Sequence, residues 1–159
     1  RDDVQRLAQL GIVASVQPIH ATSDMDIADR YWGARSAYAY AYQSLLSHGT
    51  TMIFGSDAPV ESPNPFGGLH AAVTRQRTSG APEHGWYPEQ RISLQQALAA
   101  FTSLPASVAG WSDRTGSLHS GMYADLIVLD QDPFDLPPQE LAAITPSATM
   151  FNGEWVAGK

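Results

Sequence analysis

Thr51-Met52-Ile53-Phe54-Gly55-Ser56-Asp57-Ala58-Pro59-Val60 is a short apolar run that ends in glycine, serine and aspartate and is stopped by proline. It is too brief for a helix and reads as a buried strand delivering one carboxylate to the loop at its C-terminal end. In parallel α/β folds that edge is where binding and catalytic groups collect. Taken alone, Ser-Asp-Ala-Pro reads more readily as an aspartate capping the turn that follows. The flanking segments decide between the two.

Upstream, Val4, Leu7 and Leu10 recur at helical spacing behind Asp2 or Asp3, with Gly11 as the stop. The β-branched run Ile12-Val13-Ala14-Ser15-Val16-Gln17-Pro18 then predicts a second buried strand. A polar loop from Ile19 to Arg30 follows, with Thr22 or Ser23 as the expected cap of a short helical turn closed by Trp32-Gly33. Tyr38, Tyr42, Leu45 and Leu46 predict one amphipathic helix over 34–48, stopped by Gly49. Helix, strand, helix, strand, each join made by a glycine, is parallel α/β architecture.

Downstream, Pro59 to Gly68 is a loop of the kind that lines an active site, and a helix is expected from Leu69 to about Gln76. The loop Arg77 to Arg91 carries His84-Gly85-Trp86-Tyr87-Pro88. Ser93-Leu94-Gln95-Gln96 is a capping box opening a helix that continues to Phe101, and a short helix over Pro105 to Gly110 has proline in its first turn. The character changes near Gly116. Gly116 to Asp130 is expected to contain one strand with turns before it, and Asn152-Gly153 marks a hairpin over Ser147 to Val156, because a type I′ turn needs positive φ at both central residues.

With 159 residues the chain is long enough for a core of its own, and 43% hydrophobic against 16% charged residues is a globular composition. A net charge of -7 with only 9 Lys+Arg argues against nucleic acid or an anionic membrane as partner. The absence of cysteine excludes thiolate metal sites and leaves the redox compartment open; a cytoplasmic location is the working expectation. The chain opens Arg1-Asp2-Asp3, without an initiator methionine and almost directly into a helix, so a piece of a longer protein is expected.

Together these segments resemble the C-terminal part of a metal-dependent amidohydrolase, in the branch called amidohydrolase family 3, which includes N-substituted formamide deformylase-like proteins. The resemblance rests on Ser15-Val16-Gln17-Pro18-Ile19-His20, on Gly55-Ser56-Asp57-Ala58-Pro59-Val60-Glu61, and on Asn64-Pro65-Phe66 with Ala71-Ala72-Val73-Thr74-Arg75. It continues through Gly85-Trp86, Pro88-Glu89-Gln90, Gly116-Ser117-Leu118, Gly121 and Ala124-Asp125-Leu126-Ile127-Val128-Leu129-Asp130. In that order the pieces are specific where each alone is weak.

The resemblance implies a distorted (β/α)8 barrel whose last two strands are Ile12–Pro18 and Thr51–Ser56. Residues 1–115 would be its C-terminal part, and 116–159 part of a small β-sandwich domain built from both ends of the full chain. It implies hydrolysis of a non-peptide C–N bond in a small-molecule substrate. One or two divalent ions, usually zinc, lower the pKa of a bound water, which attacks a carbonyl-type carbon. Asp57 occupies the position of the aspartate that ligates metal and takes the water's proton. The family's His-x-His pair, its bridging Lys or Glu and its two later histidines would precede Arg1. One carboxylate cannot hold zinc alone, so no metal centre is expected in this chain by itself. Met122 replaces a lysine frequent after the tail glycine, remote from the chemistry.

His20, two residues past a strand end, is open to metal ligation, substrate contact or a structural hydrogen bond; it is carried as the substrate-binding candidate. His70 reads as a packing residue, His48 as a helix cap, His84 as a loop residue within reach of a pocket, and His119 as solvated. Arg35 and Arg75 suit a substrate carboxylate, with a surface salt bridge as the plainer reading. Trp32 and Trp86 flank the expected mouth and read equally as an apolar wall there or as core or loop packing, and Glu61 is expected to bond within its own loop. The expected partners are the N-terminal remainder of the barrel and, for a homo-oligomer, a second copy. The rival reading is a non-catalytic module that folds by dimerising or by packing on another chain, because two barrel strands leave open edges. A serine hydrolase would need a G-x-S-x-G turn, and the sequence has none.

Overall fold

The computed structural model describes residues 3–158. Helix α1 (Arg6–Gln9) is shorter than the expected Val4–Leu10, and Gly11 ends the segment at φ +65°. The cap candidate Asp2 lies outside the described residues, while Asp3 pairs with Arg6 at 2.6 Å. Strand β1 (Ala14–Val16) buries Ala14 and exposes Ser15. Then come α2 (His20–Ser23), α3 (Met25–Trp32), a 3₁₀ segment (Gly33–Tyr38) and α4 (Tyr42–Ser47), which returns the chain to β2 (Met52–Phe54).

The single helix expected over 34–48 is a 3₁₀ segment and a short α-helix, broken at Tyr40. That residue adopts φ +53°, a conformation no helix interior accepts. The break has a tertiary cause: the Tyr40 carbonyl accepts from Arg75 Nη1 at 3.0 Å, and its ring packs at 6.4 Å from Tyr42 and 6.2 Å from Trp86. Thr22 and Ser23 do not cap α3 either: the Thr22 hydroxyl donates to the Ile19 carbonyl at 2.9 Å, and the Ser23 hydroxyl lies 3.3 Å from that carbonyl and closer, 2.7 Å, to Glu61 Oε1.

Helix α5 (Pro65–Thr74) starts earlier than the expected Leu69. Asn64 accepts from the Phe66 N–H at 3.0 Å, and Pro65, which has no N–H to orphan, takes the first helical position. A 3₁₀ turn (Pro88–Gln90) precedes α6 (Leu94–Phe101), whose capping box forms as expected: Ser93 accepts from the Gln96 N–H at 3.1 Å and Gln96 accepts from the Ser93 N–H at 2.9 Å. Helices α5 and α6 meet closely at Gly68, where a Cβ would lie 2.9 Å from the Phe101 ring. After α7 (Ser103–Val108) come β3 (Leu126–Val128), an unanticipated 3₁₀ segment (Pro138–Ala143), β4 (Ala148–Phe151) and β5 (Glu154–Ala157).

Strands β1 and β2 are parallel, with Ala14 opposite Met52 and Val16 opposite Phe54. Among the described residues they pair only with each other, so the barrel is not closed. Strands β3, β4 and β5 form an antiparallel sheet, and its hairpin turns on Asn152 and Gly153 at φ +49° and +82°. The main core packs Ala14, Tyr42, Met52, Phe54, Phe66 and Leu69 against α6. A smaller cluster of Met25, Ala28, Ala39 and Trp86 ties the excursion after β1 to the loop before α6. The segment 138–143 packs on α5 through the fully buried Leu141. Among the described residues no helix is long and apolar enough to cross a membrane.

Candidate functional site

Both parallel strands run out at the same edge, and the two loops leaving it carry the polar groups. Beyond β2 the ladder continues for one bond, Gly55 N–H to the Val16 carbonyl at 3.1 Å. Asp57 then turns the chain at φ +57°, a left-handed conformation that aspartate tolerates better than most side chains. Its carbonyl accepts from Val60 N–H at 2.8 Å and from Glu61 N–H at 3.4 Å, so the backbone closes the turn. The carboxylate takes no part in that closure. Its side chain is 48% exposed, and Oδ2 lies 3.6 Å from His20 Nε2.

His20 opens α2, which the chain forms immediately after Pro18. Its Nε2 is buried and has no hydrogen-bond partner; at 3.6 Å the Asp57 contact is too long to count as one. Three residues on, Ser23 donates to Glu61 Oε1 at 2.7 Å. Glu61 thus bonds within its own loop through its backbone N–H, as expected, while its side chain reaches across to the other loop, which the sequence did not suggest. A cavity of about 230 Å³ opens beside this edge, lined by Ile19, Gly55, Ser56 and Glu61 among others.

The remaining candidates lie apart from this edge. Arg75 is not a surface residue in a salt bridge: it is fully buried, donates to the carbonyls of Trp86 (2.9 Å) and Tyr40 (3.0 Å), and packs its guanidinium 5.0 Å from the Trp86 ring and 5.4 Å from Tyr42. Burial draws its pKa down to about 10, which leaves it charged at neutral pH. Arg35 is exposed. Trp86 is a core residue whose Nε1 donates to Asp29 at 3.0 Å, whereas Trp32 is half exposed. His70 is buried as a packing residue, and burial holds its imidazole below the usual histidine range. His48 ends α4 with Nδ1 2.7 Å from the Ser44 carbonyl, and His119 is exposed. His84 lines a cavity of about 430 Å³ with Gln76, Glu83 and Arg91, and another cavity, about 730 Å³, lies between α7 and the tail sheet. Neither contains Asp57 or His20.

A zinc ion asks for about three protein ligands besides water. Among the described residues no three His, Asp or Glu side chains converge. The Asp57–His20 edge offers two ligating side chains, one carboxylate half open to solvent and one imidazole turned toward it.

A family model described as "Amidohydrolase family" matches residues 1–157. The chain is 36% identical over 140 residues to Protein LONG AFTER FAR-RED 3 of Arabidopsis thaliana, covering 87% of this chain and 24% of that protein. It is 29% identical over 151 residues to the N-substituted formamide deformylase of Arthrobacter pascens, covering 94% of this chain and 27% of that enzyme. Among solved structures, an uncharacterized metal-dependent hydrolase from Pyrococcus horikoshii OT3 superposes with a TM-score of 0.71 at 28% identity, over 86% of this chain and 28% of that one. The chain thus spans between 24% and 28% of the length of these relatives.

Proposed function

This chain belongs to the amidohydrolase family, and on that premise we propose that it is the C-terminal portion of a metal-dependent hydrolase cleaving a non-peptide C–N bond in a small molecule. Strands β1 and β2 are then the last two of a (β/α)8 barrel. Residues 1–115 complete the barrel, and 116–159 contribute to a small β domain. The observation that carries the reading is Asp57, a carboxylate not used by its own turn at the carboxyl edge of a parallel strand pair.

In this reading Asp57 contributes one ligand to a centre of one or two divalent ions, zinc by preference, and the other ligands come from the N-terminal part of the same protein. When bound, such an ion supplies Lewis-acid chemistry, lowering the pKa of a water and polarising the scissile carbonyl. Asp57 accepts the proton of the attacking water and returns it to the leaving nitrogen; a carboxylate suits both, being a hard anionic donor and a reversible base. His20, on the neighbouring loop, lines the substrate side of the carboxylate. The cavity beside Gly55 and Ser56 adds room for a substrate group.

A second reading is supported by the tail sheet, which exposes Ile127, Phe151 and Val156, and by the unpaired outer edges of β1 and β2. Such surfaces need a cover. In the first reading the rest of the same protein supplies it; in the second, another chain or a second copy does, and the module has no catalysis of its own.

The first reading is tested by metal removal. Exhaustive chelation of the full-length protein is expected to abolish hydrolysis of an N-substituted formamide or related amide, and added zinc to restore it. Turnover that survives complete metal removal would leave the non-catalytic or a metal-free account in its place.

A further inference from the structure

The loop that presents Asp57 is held from outside. Residues 57–61 close a single backbone turn on the Asp57 carbonyl, with Asp57 in the left-handed region. Aspartate tolerates that region better than most residues. The contacts made to the turn from outside come from α2. His20 and Ser23 stand one helical turn apart on it, as Asp57 and Glu61 do on the facing turn, and each faces its opposite number. His20 Nε2 is 3.6 Å from Asp57 Oδ2, and the Ser23 hydroxyl donates to Glu61 Oε1 at 2.7 Å. The second contact is the stronger, being a short hydrogen bond to a charged acceptor. It joins the loop after β1 to the loop after β2 at a distance in sequence of 38 residues.

We infer that α2 is a clasp on the Asp57 turn: Ser23, by holding Glu61, fixes the turn that presents the carboxylate, so Ser23 and Glu61 are positioning residues for the reaction proposed above. Neither touches the reacting atoms in this scheme; both act through Asp57. The inference rests on the catalytic reading of Asp57, and its test separates the two.

In the full-length protein, Ser23→Ala and Glu61→Ala are each expected to lower kcat roughly tenfold, since small displacements of a reacting group are costly, with KM changed less than about threefold. Because both remove the same bond, the double variant is expected to be no worse than either single one. Glu61→Gln keeps an oxygen that accepts from Ser23 and is expected to return kcat to within about threefold of wild type. Zinc retention against a competing chelator is expected to weaken roughly tenfold in the two alanine variants, because the turn that aims the ligating carboxylate is no longer held by the Ser23–Glu61 bond. Additive effects, a change confined to KM, or failure of Glu61→Gln to restore turnover would overturn the clasp. So would wild-type kinetics of Ser23→Ala, which removes only a hydroxyl from an exposed residue and so carries the test if Glu61→Ala does not fold. Asp57→Asn, measured alongside, divides the outcomes. If it is inactive while the Ser23 and Glu61 variants are normal, the clasp alone fails; if it turns over normally, the catalytic reading and the clasp fail together.

Discussion

Asp57→Asn is expected to lower turnover of the full-length protein by about 10³-fold or more, the scale of a lost general base compounded by a weakened metal ligand. The substitution is chosen because its structural cost is small. Asparagine has the same shape and tolerates the φ of +57° that position 57 adopts. The bond from Val60 N–H to the residue-57 carbonyl, at 2.8 Å, is a backbone bond and survives. What changes is the chemistry: the amide cannot accept a proton at neutral pH and offers no anionic oxygen. Steady-state kinetics with a circular dichroism spectrum check it, and near-normal turnover in a folded variant would remove Asp57 from the mechanism.

The second large effect is on stability. Arg75→Met is expected to destabilise the protein by about 2–4 kcal/mol, because the buried Trp86 carbonyl loses a donor and the part-buried Tyr40 carbonyl keeps only the Tyr42 N–H at 2.9 Å. Methionine fills most of the volume but donates nothing. The guanidinium also lies against the Tyr42 and Trp86 rings, and those contacts go with it. Part of the loss is recovered, since a buried charge with no carboxylate partner and an unbonded Nη2 is removed. The balance still favours arginine because it joins three segments at once: the end of α5, the loop around Trp86 and the bend at Tyr40. Arg35→Met, at an exposed position, is the control and is expected to change stability by less than about 0.5 kcal/mol. Denaturant unfolding compares the pair, and a loss below about 1 kcal/mol for Arg75→Met would show that the three segments hold together without it.

How far the sequence could be read follows from how local each determinant is. Strand β2 and the placement of Asp57 were legible because an apolar run, a Gly-Ser-Asp exit and a proline lie within ten consecutive residues. The capping box at Ser93 and the Asn152-Gly153 hairpin were legible for the same reason: their partners are at most three residues apart. The expected helix over 34–48 failed because its spacing of Tyr38, Tyr42, Leu45 and Leu46 competes with a tertiary bond from Arg75 to the Tyr40 carbonyl, 35 residues away. The burial of Arg75 is hidden from the sequence in the same way. Nothing in a single sequence announces that a guanidinium is buried between two rings, and surface exposure is the ordinary fate of arginine. At the site, His20 was singled out as two residues past a strand end, and the fold brings its Nε2 to the Asp57 carboxylate. Ser23 and Glu61 were not seen as a pair. The only trace is a spacing of three residues from His20 and four from Asp57, which means something only once the two loops are known to face each other.

The central claim is that the Asp57 carboxylate is one holder of a metal ion whose other holders lie in the rest of the protein. Zinc-edge anomalous diffraction from crystals of the full-length, zinc-loaded protein tests it most directly. The account predicts an anomalous peak about 2.0–2.2 Å from an Asp57 carboxylate oxygen, completed by side chains from outside this chain. A fully occupied zinc whose ligands exclude Asp57 would contradict it.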